Sequence, residues 1–148
     1  MQERFKIFTV LIANINRCIS KIKTEEMAEF ELRGSHVSCL YYLYKEKSLT
    51  AKELCDICGE DKANISRSIK YLESAGYVTY GENKNKHYHS PLKLTETGVK
   101  IGKLIAEKID HILYKVSEGL SDEHRSIMYH SLNTINKNLN TICGDYGE

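Results

Sequence analysis

Apolar residues recur every three or four positions at both ends of the chain. Phe8, Ile12, Ile15, Ile19 and Ile22 are spaced four, three, four and three apart, and Met128, Leu132, Ile135, Leu139 and Ile142 repeat that spacing. This is the spacing of a coiled-coil seam, so it predicts two terminal helices whose apolar edges need a partner. Between them, Ile101, Ile105, Ile109, Ile112 and Val116 predict a long helix. It opens at Thr95 as N-cap and ends near Gly119, before Ser121 caps the last helix. Ser35, after Gly34, is the expected N-cap of another helix through Val37, Leu40, Leu43 and Tyr44. Residues 24–32, TEEMAEFEL, are acidic and only partly periodic, and read as a short helix or a loop.

The middle of the chain is more specific. Residues 49–78 read LTAKELCDICGEDKANISRSIKYLESAGYV. Thr50 and Glu53 make a capping box, in which each side chain satisfies a free backbone N–H of the other residue. The helix they open runs to about Cys58, where Gly59 supplies a left-handed C-cap. Asp61 caps a second helix, whose apolar stripe is Ile65, Ile69 and Leu72 and which Gly76 stops. Two short helices joined by a tight glycine turn form a helix-turn-helix.

Opposite the apolar stripe of the second helix lie Ala63, Arg67, Lys70 and Ser74, flanked by Asn64, Ser66 and Tyr71. These residue types suit DNA. An arginine fork fits guanine O6 and N7, an asparagine pairs with adenine, and a small residue such as Ala63 lies against a thymine methyl. Lys62 and Lys70 suit phosphates. The expected recognition set is therefore Lys62, Ala63, Asn64, Ser66, Arg67 and Lys70.

Tyr77, Val78, Thr79 and Tyr80 favour a strand, and Pro91, Leu92, Lys93 and Leu94 favour a second, with GENKNKHYHS between them. This predicts a hairpin, with Pro91 on an edge strand. Its tip carries Lys84, Lys86, His87 and His89, a basic wing able to reach a minor groove or a phosphate strip.

These residues resemble the MarR family of winged-helix transcription regulators. The resemblance rests on a helix followed by a helix-turn-helix, the run YLESAGYV, a wing, and LTETG opening a long helix. It covers most of the chain. It implies a mainly α fold with a small β-hairpin wing, in which residues 35–94 form a winged helix-turn-helix. Residues 1–34 and 95–148 then supply the helices for dimerisation. It further implies a dimeric, sequence-specific regulator, a repressor released by a small ligand or oxidant that changes the separation of the reading heads. Some relatives sense peroxides through a cysteine on the first helix, where Cys18 stands here. Many members carry Asp-x-Arg or Asp-Arg-Arg in the wing, whereas this chain reads Lys86-His87-Tyr88. The wing contacts then fall to Lys84, Lys86 or His87, and a lysine offers a point charge where an arginine offers a fork.

Composition agrees. At 148 residues and 41% hydrophobic, the chain can bury a core as one domain or as a small domain with helical extensions. The formal net charge is only +1. Residues 62–93, however, hold six lysines and arginines against two glutamates, a local +4 on the predicted contact surface. Two copies related by a two-fold axis would double this charge and place two recognition helices about 34 Å apart, which predicts an inverted repeat as target. No stretch reads as a leader or membrane span, so a cytoplasmic location is expected.

Five cysteines without a secretory segment point to reduced thiols. Cys55 and Cys58 match C-x-x-C, which admits a redox pair or half of a zinc site with His87 and His89. A helix-turn-helix also needs small buried residues there, and free cysteine packs as a small hydrophobe. Tyr41, Tyr42 and Tyr44 could line an effector pocket or fill core. No nucleophile triad, phosphate loop or carboxylate pair stands out, so neither an enzyme nor a bound metal or cofactor is expected. Two alternatives to the DNA-binding reading remain, a metal- or thiol-responsive regulator using Cys55 and Cys58, and a winged helix that binds only protein.

Overall fold

Both apolar seams are helical in the computed structural model, which describes residues 2–81 and 88–146. The wing residues Lys84, Lys86 and His87 lie outside the described residues. The chain divides into two compact units, Met1–Ile109 and Asp110–Glu148.

In the first unit, α1 (Gln2–Phe5) passes through wider π-helical turns over Lys6–Leu11 into α2 (Ile12–Met27). Phe8, Ile12, Ile15 and Ile19 are 47, 41, 49 and 48% exposed, so about half of each apolar side chain of this seam stays open. α2 runs on through the acidic stretch, and a 3-10 turn over Ala28–Phe30 follows it. The expected short helix or loop at residues 24–32 is therefore the end of α2 plus a tight turn. Periodicity is weak there because only Met27 and Leu32 are fully buried, with Phe30 packed partly against the core. From later in the chain, the Lys108 ammonium reaches back to Glu29 at 3.0 Å and Glu26 at 3.7 Å. The hydrogen bond to Glu29 holds the ammonium above its ordinary pKa.

α3 (Gly34–Glu46) buries Val37, Cys39, Leu40 and Leu43. Its N-cap is Arg33, not the expected Ser35. The Arg33 N–H donates to His36 Nδ1 at 3.1 Å, while the Ser35 hydroxyl pairs with Ser68 at 2.8 Å. A tertiary partner 33 residues away thus claims the side chain that local reading assigns to capping.

β1 (Leu49–Thr50) leads into α4 (Ala51–Cys58), and α5 (Lys62–Ser74) follows. The expected capping box is present: Glu53 N–H donates to Thr50 Oγ1 at 3.1 Å and Thr50 N–H to Glu53 Oε2 at 2.7 Å. Gly59 takes φ of 63°, the left-handed conformation that lets α4 end and α5 begin within a few residues. Leu54, Ile65 and Leu72 are fully buried. Each such side chain contributes about 1.5–3 kcal/mol through burial, enough to fix α4 and α5 against α3.

Three strands form the sheet, where the sequence predicts two. β2 (Val78–Thr79) and β3 (Pro91–Leu94) pair antiparallel as expected, and β1 pairs with the other side of β3. The order is β1-β3-β2, so Pro91 begins the central strand and the edge-strand reading is corrected. The position tolerates proline because it is the first residue of the strand, opposite Thr50 of β1, and the β2 register begins only at Lys93. β1 is invisible in the sequence pattern because it has two residues and Thr50 doubles as a helix cap.

α6 (Glu96–Val116) opens at Thr95, whose Oγ1 accepts from Gly98 N–H at 3.0 Å and donates to Gly76 O. This joins the start of α6 to the end of α5. Gly98 lies so close to Tyr77 that a Cβ there would sit 1.9 Å from its carbonyl oxygen. In the second unit, α7 (Asp122–Asp145) is capped by Ser121, which accepts from His124 N–H at 3.1 Å. Leu132, Leu139 and Ile142 are exposed along it.

Candidate nucleic-acid interface

α5 presents two faces of opposite character. Ile65, Ile69 and Leu72 turn inward, and with them Ser68, which the helical wheel does not single out. Lys62, Ala63, Ser66, Arg67 and Lys70 are exposed on the other side. Five of the six predicted recognition residues therefore share one solvent-facing strip, and burial of the opposite stripe fixes its direction. Asn64 is the partial exception. It is half-buried, its N–H donates to Asp61 Oδ1 at 2.7 Å, and its side-chain amide donates to Glu60 Oε2. To read an adenine it must release Glu60.

A depression flanks the strip on each side. Toward the sheet, Lys62, Ser66, Lys70, Tyr80 and Tyr88 line a groove of about 260 Å³. The Lys62 ammonium sits 4.6 Å above the Tyr88 ring, a cation–π contact that turns it toward the base of the wing. Tyr88 also hydrogen-bonds Cys55 of α4, which holds its phenol above the ordinary pKa. Toward α3, Arg67, Asn64 and Tyr71 of α5 face Arg33, Ser35 and His36 across a cavity of about 510 Å³. The His36 ring stacks on Tyr71 with centroids 4.3 Å apart and planes within 7°. Burial, and then the positive charge of Arg33, lower the His36 pKa from 6.5. Sequence reasoning finds neither Arg33 nor Tyr88, because both reach α5 from other elements and no local spacing marks them.

The cysteines are all free thiols. Cys58 accepts a hydrogen bond from the buried Cys39, which lowers its pKa and raises that of Cys39. Cys55 and Cys58 pack against the core. Among the described residues no group of three or more histidines, cysteines and carboxylates is placed to hold a metal, and His87 lies outside them. No described helix is long and apolar enough to cross a membrane.

Residues 30–87, from the turn before α3 into the wing, match the family model described as MarR family. Over that segment the chain is similar to the MarR family. None of the curated proteins compared matches its sequence. Solved structures share the fold over nearly the whole chain. A MarR family regulator from Neisseria meningitidis is 21% identical, with 91% of this chain and 94% of that one aligned at a TM-score of 0.77. MepR of S. aureus, solved as a DNA complex, is 17% identical over 89% of this chain and 97% of its own, also at 0.77. A Listeria monocytogenes protein described as a MarR family transcriptional regulator, complexed with 26mer DNA, is 24% identical. It aligns over 86% and 85% of the two chains at 0.77. The MarR resemblance read from YLESAGYV and LTETG thus holds, and the fold is a mainly helical one with a small antiparallel sheet.

Proposed function

We propose that this chain is a dimeric, sequence-specific DNA-binding transcription regulator of the cytoplasm, a repressor whose hold on DNA an effector releases. The observation that carries the reading is the outward strip of α5. A helix about 10–12 Å across fits the major groove, and this one turns Arg67, Lys70, Ser66 and Ala63 away from the buried Ile65, Ile69 and Leu72. That two proteins sharing the fold were solved as DNA complexes supports DNA as the partner.

Residues 35–94 would form the reading head, and residues 1–34 and 95–148 the pairing region. The seams of α2 and α7, left partly open in the single chain, support a homodimer. A two-fold dimer would read two half-sites about one helical turn apart. The wing residues Lys84, Lys86 and His87 would add backbone contacts.

Selection of bound duplexes from a random library tests the reading, followed by anisotropy titrations of the purified protein over a range of salt. An enriched inverted repeat, with affinity falling steeply as salt rises, is the expected outcome. Arg67→Ala should then cost about 1–3 kcal/mol on the selected site and less on random DNA, as loss of a base contact requires. Binding to no duplex, or a midpoint indifferent to salt, would leave a protein-interaction module.

A further inference from the structure

We propose that Arg33, at the start of α3, seats a DNA backbone phosphate beside the recognition helix, extending the interface beyond α5 and the wing. The inference rests on the DNA-binding reading and names a contact within it. Arg33 is exposed, and it faces Arg67 across the 510 Å³ cavity between α3 and α5. Among the described residues neither arginine forms an ion pair, and Glu31 is the one carboxylate lining the cavity. With two arginines against one carboxylate, the cavity lining carries net positive charge.

Position decides what kind of DNA group Arg33 meets. A recognition helix fills the width of the major groove, so a residue beside it on a neighbouring element stands over the groove's rim, where the phosphates run. The planar guanidinium fork matches phosphate oxygens two at a time.

The seat is also held in place before any ligand arrives. Tyr71 OH donates to Glu31 O at 2.9 Å, the His36 ring stacks on Tyr71, and Ser35 bonds Ser68 at 2.8 Å. Arg33 lies between Glu31 and Ser35, and both are pinned to α5. Its backbone is tied to the recognition helix, so the ordering cost of binding falls on the Arg33 side chain alone.

The test is a salt titration of wild type, Arg33→Gln and Arg33→Lys on the selected duplex and on a random one, read by fluorescence anisotropy. Arg33→Gln should weaken both duplexes by the same several-fold factor. It should also flatten the slope of log affinity against log salt by about 0.9 per protomer, the loss of one phosphate contact. Arg33→Lys keeps the charge and should keep the slope while losing part of the affinity. An unchanged slope for Arg33→Gln, or a loss confined to the selected duplex, would overturn the phosphate assignment while DNA binding itself stands. A wild-type protein that binds neither duplex would instead bring down the DNA reading and this contact with it.

Discussion

Replacing Gly98 by alanine tests the joint between the reading head and the long helix. A Cβ at this position would lie 1.9 Å from Tyr77 O and 2.9 Å from its carbonyl carbon, against 3.4 Å for ordinary contact, a shortfall of about 1.5 Å. The obstacle is backbone, so no side-chain rotation relieves it. α6 must move off the bend before β2, and the bonds from Thr95 N–H to Tyr77 O at 3.0 Å and from Thr95 Oγ1 to Gly76 O stretch with it. Overpacking costs about 1–3 kcal/mol and the weakened cap about 1 kcal/mol. The gain in helix propensity from Gly to Ala returns up to about 1 kcal/mol. The net loss is about 2 kcal/mol, or about 4–8 °C in Tm for a chain of this size. Calorimetry at one fixed protein concentration measures it, with Gly34→Ala as control. A methyl group at Gly34 would meet nothing within 4 Å, and its φ is not positive, so that variant should melt with or slightly above wild type. A Gly98→Ala protein that melts like wild type would refute the close approach of α6 to Tyr77.

Two further outcomes follow from the titrating groups. His36 is held neutral in the fold by burial and by Arg33, so the unfolded chain takes up its proton first as pH falls. Its contribution is therefore complete above about pH 6.5 and is lost progressively below it. His36→Gln keeps an acceptor for the Arg33 N–H without the titration, and its Tm should fall less than that of wild type between about pH 7.5 and about pH 5.5. Parallel curves would dismiss the assignment. Iodoacetamide at neutral pH should modify the exposed Cys18 and Cys143 and the half-buried Cys58, but spare Cys39 until the protein unfolds. Peptide mass spectrometry reads the order, and early labelling of Cys39 would contradict its burial.

What the sequence discloses here is local chemistry. The Thr50–Glu53 box, the Asp61 cap and the Gly59 turn involve residues within a few positions of one another, and all three form as expected. The inward stripe of α5 is legible for the same reason, because one helical period places Ile65, Ile69 and Leu72 together. Apart from Asn64, which is held by the nearby Glu60, the departures at the candidate site involve distant partners. Ser35 leaves its capping role for Ser68, and Tyr71 turns from a flank position to bond Glu31, 40 residues earlier. β1 exists only because β3 lies beside it. Arg33 and Tyr88 join the candidate interface through folding alone, so a helical wheel drawn on α5 could not include them. The orientation of Arg67 is legible in the sequence, whereas its neighbours are not.

The π-helical turns over Lys6–Leu11 give the N-terminal arm a fingerprint. Such turns hold more residues than α-helical ones, so the greasy ridge of the arm changes phase there instead of running straight. If two arms lie against each other, knobs meet holes on both sides of the break only when each strand carries the same insertion at the same height. A sister regulator with an unbroken arm would fit one half of the ridge and miss the other. The irregularity would thus favour pairing between identical arms.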